Sequence, residues 1–220
     1  MILYHGTSTK HKASILEKGL LPRNLTGVSN WHGKVESKKN FIYLSTAYPV
    51  YFAYCAAKED DEKLLILEVE VEEKLLYPDE DYIAQCLHVH DPYFQKMKLE
   101  DVNPFVDPAD YKKYWVQSLK ACGNVCIKKV LPRQIKRHVV IPVNSTTIQE
   151  ILTIGADSMP IPLNYHFLGT AYRKSMEALF DNGLRAAVDA RNRAMGYTQE
   201  MMDEINAARK KMDKDGELVI

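Results

Sequence analysis

The stretch "ILYHGTS" (residues 2–8) places a histidine and a glycine directly behind three apolar residues. The apolar start favours extended backbone and predicts a short β-strand over 2–5. Gly6 leaves room for a ligand to approach the backbone closely. We therefore expect the strand to end at a polar corner, where the His5 side chain faces a cleft and not the core.

A helix is predicted directly after this strand, over "STKHKASILEKGLLP" (8–22). Gly19 is the expected C-terminal stop, and Pro22 follows it. The polar segment 23–40 is predicted to be a loop, and its length is typical of functional loops. The residues expected on the inward face of the helix are Ala13, Ile15, Leu16 and Leu20.

Further strands and a second helix follow the loop. "FIYLS" (41–45) predicts a strand, and "AYPVYFAYCAAKE" (47–59) predicts a helix. "KLLILEVEVEE" (63–73) alternates apolar and acidic residues, which is typical of a strand with one face in water. The inward residues expected on the second helix are Val50, Tyr54 and Ala57, and those expected to face water on the alternating strand are Glu68, Glu70 and Glu72.

The second half of the chain changes character after Val143. Residues 77–112 read as irregular, and two strands are predicted over 124–132 and 138–143. Helical spacing then predominates, with predicted helices over 168–180 and 184–195 and a third that begins at Thr198. The pattern predicts an α+β protein with one domain over 1–145 and a helical C-terminal extension over 146–220.

Composition excludes several classes of protein. The chain has 220 residues, of which 46% are hydrophobic, and its 29 basic and 29 acidic residues balance. Its net charge therefore gives no indication of nucleic-acid binding, although a local patch could still serve. The four cysteines are scattered and form no CxxC pair, which favours reduced thiols. We see neither a signal peptide nor an apolar run long enough for a membrane span, and expect a cytoplasmic protein.

Three elements in order, "LYHGTS", "ILEKGLLP" and "IYLSTAYPVYFAYCA", resemble the ADP-ribosyltransferase superfamily, in the branch shared by diphtheria-type toxins and poly(ADP-ribose) polymerases. The resemblance covers about residues 1–60 well and 120–143 weakly. It implies a split β-sheet core, NAD as co-substrate and no metal. It also implies a mono-ADP-ribosyltransferase of bacterial toxin or phage effector type. The expected acceptor is a nucleic acid, such as RNA, or a protein, and a neutralising antitoxin is a further expected partner.

The resemblance also implies roles for individual residues. His5 would hydrogen-bond the adenine-side ribose, and the backbone of Gly6 would pair with the nicotinamide carboxamide. Tyr43 and Tyr54 would border the nicotinamide ring, since aromatic faces favour offset stacking. Arg23 and the loop 24–40 would close over the pyrophosphate. The cofactor-binding set also includes Thr7 and Tyr51, and the expected catalytic residues are His5, Tyr43 and Asn124.

Asn124 is the point where the sequence departs from the family pattern. Relatives begin the corresponding strand with a glutamate, and no glutamate occurs in "GNVCIKKVLPRQI" (123–135). An amide can accept a hydrogen bond from a ribose hydroxyl but cannot take a proton. We therefore expect transfer of a single ADP-ribose or loss of activity. If Asn124 is only a turn residue, Glu68 or Glu70 would be the alternative.

Two other functions remain open at this point. A non-catalytic module could recognise NAD or ADP-ribosylated partners through the same cleft. The RNA 2′-phosphotransferases of the same superfamily also use NAD, but they need more basic residues than Arg23 within 10–40.

Two local features complete the sequence reading. The loop "HVHD" (88–91) is better explained by surface histidines than by a metal site. A basic stretch near the expected site could contact a nucleic-acid backbone or form a solvated sheet edge. Its members are Lys128, Lys129, Arg133, Lys136, Arg137 and His138.

Overall fold

The computed structural model describes residues 1–27, 37–57, 63–98, 101–102, 112–156 and 169–215. Within these ranges the strands form one antiparallel sheet in the order β4-β5-β2-β1-β3-β6. The predicted α+β class is confirmed. The strands are β1 Ile2–Ser8, β2 Ile42–Ser45, β3 Leu64–Glu70, β4 Tyr77–Pro78, β5 Asn124–Ile127 and β6 Ile135–Ile141.

Helices cover both faces of this sheet. Short 3₁₀ turns occur at Thr9–His11, Glu73–Leu75, Phe94–Lys96 and Pro132–Gln134, and a π-helical segment spans Leu152–Ala156. The α-helices are α1 Lys12–Lys18, α2 Arg23–Thr26, α3 Pro49–Ala56, α4 Glu80–His90, α5 Trp115–Cys122, α6 Ile148–Ile151, α7 Thr170–Asn182, α8 Leu184–Ala194 and α9 Gln199–Asp215. Within the described ranges, no helix is both long enough and apolar enough to span a membrane.

β1 and β2 separate after a single paired position, and this separation locates the site described below. β1 pairs with β3 over its whole length, from Ile2↔Glu70 to Ser8↔Leu64. Its pairing with β2 is confined to Tyr4↔Ser45. The predicted strand over 2–5 is therefore too short, because β3 continues to pair with the chain beyond Gly6.

Both faces of β3 are buried, which corrects the prediction of a half-solvated strand. Leu65, Leu67 and Val69 join a hydrophobic cluster on one face of the sheet, with Leu3 and Leu44. The alternate residues, such as Ile66, join a second cluster on the other face. Both faces of β3 are therefore buried over most of its length, and within β3 only Glu70 is exposed.

Glu68 is buried, contrary to the expectation that it faces water, because Arg137 on β6 pairs with it. Arg137 Nε donates to Glu68 Oε1 over 2.9 Å, and its Nη2 donates to Glu68 Oε2 over 2.6 Å. The same guanidinium donates to Asp181 on α7 and lies over the Phe180 ring. This two-point geometry is the arrangement in which a guanidinium holds a carboxylate most strongly.

The C-terminal helices complete the core of the sheet domain. Met176 and Leu179 of α7 and Val188 of α8 belong to the same hydrophobic cluster as Tyr4 of β1 and Ile141 of β6. Tyr4 also stacks on Phe180 with 5.4 Å between ring centroids. The segments 1–145 and 146–220, which the sequence divides into a domain and an extension, therefore share one cluster.

Several other local predictions need correction. Ala13 and Leu16 are exposed, whereas Ile15 and Leu20 of the predicted inward face join the core as expected. Gly19 does end the helix, with a positive φ of 81°. The loop 23–40 contains α2, with residues 28–36 outside the described ranges, and the segment 77–112 contains α4. Tyr54 is 36% exposed, whereas Val50 is fully buried as predicted.

Replacing Arg137 with alanine should destabilise the protein strongly, because it leaves the buried Glu68 carboxylate without its partner. Because the Glu68 side chain is 9% exposed and that of Arg137 is 44% exposed, the expected loss is that of a buried charged acceptor left unsatisfied, about 1 to 3 kcal/mol. The neighbouring ion pair of Lys136 with Glu70 has both side chains well exposed, at 43% and 56%. Lys136→Ala is therefore a matched control, with a much smaller expected loss of stability. Urea unfolding of both variants measures the difference, and equal losses would contradict this role of Arg137.

Candidate active site

A cavity of about 460 Å³ lies beside the place where β1 and β2 separate. Its walls come from the end of β1, from α1 and α2, from β2 and from the start of α4. This volume is within the range of small-molecule and cofactor sites. Six of the eight residues predicted to form the site line it, namely His5, Gly6, Thr7, Arg23, Tyr43 and Asn124.

The His5 side chain on β1 reaches β2 through a hydrogen bond. This hydrogen bond determines which ring nitrogen carries the proton. Its Nδ1 lies 2.9 Å from the carbonyl oxygen of Tyr43. A carbonyl oxygen can only accept, and therefore Nδ1 carries the proton. Burial lowers the pKa of His5, against the opposing effect of this hydrogen bond. A neutral ring with a proton on Nδ1 leaves Nε2 as a hydrogen-bond acceptor, which suits a ligand hydroxyl group.

Tyr43 is fixed by hydrogen bonds at its hydroxyl group. Its hydroxyl donates to Asp81 Oδ2 in a short contact. The backbone N–H of Lys38 lies 2.9 Å from the Tyr43 hydroxyl oxygen and 3.1 Å from Asp81 Oδ2. Burial, together with the nearby Asp79 and Asp81, raises the pKa of Tyr43 well above its usual value. The phenol therefore stays neutral, and its ring forms a fixed wall of the cavity.

Asp79 and Asn124 form a buried polar pair in the cavity. Their exposed fractions are 4% and 1%. Both polar atoms of the Asn124 side chain are buried without a hydrogen-bond partner, although the amide lies near enough to Asp79 to lower the pKa of that carboxyl group. Burial outweighs this effect and, with the charge of Asp81, raises the pKa of Asp79 to about 7. The cavity thus holds a carboxyl group that changes its charge near neutral pH.

Gly6 is required for a reason other than the one expected from the sequence. A Cβ atom at this position would lie 1.7 Å from the carbonyl oxygen of Pro49 and 2.8 Å from the backbone nitrogen of Ala53. The space above Gly6 is therefore occupied by α3 and not by a ligand. Because Gly6 has no side chain, α3 can pack directly against β1. The backbone of Gly6 still borders the cavity.

The structure does not bring Tyr51 and Tyr54 into the cavity. Neither residue lines it, and the residue of α3 that does is Phe52. The ring of Tyr51 instead packs edge-on against Phe52, with 5.5 Å between the ring centroids. The sequence predicted Tyr51 and Tyr54 at the site, whereas the aromatic residue of this helix that lines the cavity is Phe52.

Helix α4 supplies site residues that the sequence reading missed. The start of this helix contributes Asp79, Asp81, Tyr82 and Gln85 to the cavity. A signal for it was present, because Asp79 caps the helix by accepting from the Tyr82 backbone N–H over 3.2 Å. Acidic residues in the first turn after an aspartate are typical of a helix N-terminus.

The alternative residues named from the sequence lie elsewhere. Neither Glu68 nor Glu70 lines the cavity, and each is paired with a basic residue of β6. Arg137 and Lys136 are consequently engaged in ion pairs, so the basic stretch is a weaker candidate for nucleic-acid contact than its sequence indicates. In the described part of the chain no three His, Cys, Asp or Glu residues are arranged to hold a metal ion.

Comparison with known proteins adds no family to this geometry. No protein-family model matches the chain, and a search of curated proteins also finds no match. The resemblance to ADP-ribosyltransferases therefore stays a prediction.

Asp79→Asn should stabilise the protein at alkaline pH and leave its stability unchanged in acid. A carboxyl group whose pKa is raised from 3.8 to about 7 by folding makes the wild type less stable as pH rises between those values. Above about pH 7 the cost is complete, and it is on the order of 4 kcal/mol. Asparagine removes this titration and still caps the helix.

Urea unfolding of the wild type and Asp79→Asn between about pH 4 and pH 8 measures the effect. Asp91→Asn is the matched control, since Asp91 lies at the other end of α4 and does not line the cavity. A stability difference between the wild type and Asp79→Asn that does not change with pH would contradict the buried, titrating state of Asp79.

Proposed function

We propose that the protein is an NAD-dependent mono-ADP-ribosyltransferase, which transfers one ADP-ribose to a macromolecule and releases nicotinamide. The motifs that resemble the superfamily include His5, Gly6 and Tyr43, and these residues lie around one cavity. The separation of β1 from β2 agrees with the split sheet that the resemblance implies.

The observation that carries the proposal is the hydrogen bond from His5 Nδ1 to the Tyr43 carbonyl. It turns Nε2 into an acceptor, and an acceptor at this position can bind a ribose hydroxyl. The fixed ring of Tyr43 beside it offers an aromatic wall for nicotinamide. His5 would thus hold the adenine-side ribose and the Tyr43 ring the nicotinamide, and these two contacts position the nicotinamide-side ribose, which becomes oxocarbenium-like in the transition state.

The cavity also provides basic side chains for the phosphates of NAD. Its lining includes His11, Lys18, Arg23 and Lys38. Arg23 is oriented by a 2.6 Å hydrogen bond from its Nη2 to the carbonyl of Ser37. A guanidinium that is held in place loses little entropy when it binds a phosphate. The sequence matched only Arg23 to the phosphate-binding residues that an RNA 2′-phosphotransferase needs, whereas several basic residues line the cavity. Such a phosphotransferase is therefore a second candidate.

A nucleic acid is the acceptor that the site favours. Asn124, at the position where relatives carry a glutamate, cannot deprotonate a hydroxyl acceptor, whereas an exocyclic amine of a base attacks with its own lone pair and loses its proton only as the new bond forms. The basic side chains around the cavity would also attract a phosphate backbone. A protein acceptor and a non-catalytic NAD-binding module are the other outcomes that the experiment distinguishes.

The function is tested by incubating the protein with adenine-labelled NAD and separate pools of RNA, DNA and protein. The proposal predicts release of nicotinamide and label that nuclease removes. Label that protease removes would identify a protein acceptor. NAD binding without nicotinamide release would indicate the non-catalytic module, and loss of the 2′-phosphate from a 2′-phosphorylated RNA would indicate the phosphotransferase.

His5→Ala should weaken NAD binding by about tenfold or more, because it removes a hydrogen bond to the ribose and leaves that hydroxyl unpaired. His138→Ala is the matched control, since His138 lies on β6 and does not line the cavity. Calorimetric titration with NAD measures both variants, and thermal unfolding shows that each is folded. NAD affinity that is the same in both variants would contradict the assignment of His5.

A further inference from the structure

The cavity contains two carboxyl groups, on Asp79 and Asp81, and one of them is suited to take up a proton. We propose that Asp79 is a catalytic residue of the transfer reaction and accepts the proton that the acceptor nitrogen loses. The proposal rests on the proposed function, since it assigns a residue to that reaction. The group comes from α4, an element that carries none of the motifs on which the resemblance depends.

The two carboxyl groups have different hydrogen-bond partners, and this difference indicates different roles. Asp81 Oδ2 already accepts from the Tyr43 hydroxyl and from the Lys38 backbone N–H, so it holds the cavity wall. Asp79 uses Oδ1 to cap α4, and the Asn124 amide is the other group that contacts its carboxyl group. Its own backbone N–H donates to Ser118 Oγ over 2.9 Å, which fixes the position of the carboxyl group between α5 and β5.

Asn124 provides a second, independent indication that a ligand binds here. Its side chain is 1% exposed and lines the cavity, and beyond a weak contact with the Asp79 carboxyl group its two buried polar atoms have no well-formed hydrogen bond. A buried amide with no partner is unfavourable, and such groups in folded proteins call for an explanation such as a ligand. The amide would orient a hydroxyl of the ribose or the acceptor, beside the Asp79 carboxyl group that takes the proton.

The reaction balances with Asp79 in this role. The bond between the ribose C1′ and the nicotinamide nitrogen breaks, and its electron pair stays on that nitrogen, which neutralises the pyridinium. The lone pair of the acceptor nitrogen forms the new bond to C1′. The proton that this nitrogen loses passes to the Asp79 carboxylate and is later released to water. The products are nicotinamide and the ADP-ribosylated acceptor.

The groups that face Asp79 allow this titration near neutral pH. They are Asp81 on α4, Tyr43 on β2, and Cys126 and Asn124 on β5. Burial raises the pKa values of Tyr43 and Cys126, so neither of these two groups changes its charge in the range where Asp79 does. General-base catalysis is most effective when the base titrates near the working pH.

Asp79→Asn tests the proposal without loss of the helix cap, since asparagine caps helices as well as aspartate. The readouts are nicotinamide release with the acceptor pool that gains label, measured from about pH 5.5 to pH 9, and the NAD dissociation constant. We expect the rate to fall by about 10² to 10⁴-fold and NAD affinity to change by less than about threefold. Asp91→Asn should behave as the wild type.

The pH profile of the wild type is a second measurement, which needs no variant. Its rate should rise about tenfold per pH unit below pH 7 and level off above it, and the residual rate of Asp79→Asn should lack this step. A wild-type profile without this step, or an Asp79→Asn variant with the wild-type rate and profile, would overturn the proposal. Failure of the wild type to release nicotinamide with any pool would overturn the proposed function as well.

Discussion

The hydrogen bond from His5 Nδ1 to the carbonyl oxygen of Tyr43 links β1 to β2 beyond their one paired position. Backbone pairing between these strands would fill the space that becomes the cavity. A side chain that spans the gap satisfies the Tyr43 carbonyl and keeps the strands apart. The tautomer of His5 and the opening of the cavity both depend on this contact.

The packing around this contact explains why the strands can separate without loss of the fold. α3 presses directly on Gly6, where a Cβ atom would overlap the Pro49 carbonyl. On the same face, α7 and α8 cover β1, β3 and β6 through the cluster around Tyr4 and Met176. The sheet is therefore held together from its faces at the place where its edge-to-edge pairing is weakest.

The site concentrates polar groups that are costly to bury. His5, Asp79 and Asn124 are each placed where burial disfavours a charge or leaves a polar atom without a partner. Such groups lower stability, and proteins commonly tolerate them where they bind a ligand or carry out chemistry. The buried ion pair of Glu68 and Arg137 lies outside the cavity and differs from them, because each of its charges has a partner.

Much of the fold could be predicted from local pattern, and the site only in part. A strand beginning at Ile2, the stop at Gly19 and a helix within 47–59 follow from residue preferences that act within a few positions, whereas the continuation of β1 to Ser8 depends on its pairing with β3. The burial of Glu68 could not be predicted, because it depends on Arg137, which is distant in sequence. Similarly, Phe52 rather than Tyr54 faces the cavity because the packing of α3 on Gly6 fixes the rotation of that helix. Asp79 was overlooked although its capping pattern was visible.

The nitrogen-15 NMR spectrum of the His5 ring, recorded with and without NAD, tests the central claim most directly. A His5→Gln variant assigns the signals among the seven histidines. The account predicts a protonated Nδ1 and an unprotonated Nε2 in the free protein, and a shift of the Nε2 signal alone when NAD binds. A proton on Nε2 in the free protein, or a His5 ring whose signals do not change at saturating NAD, would contradict it.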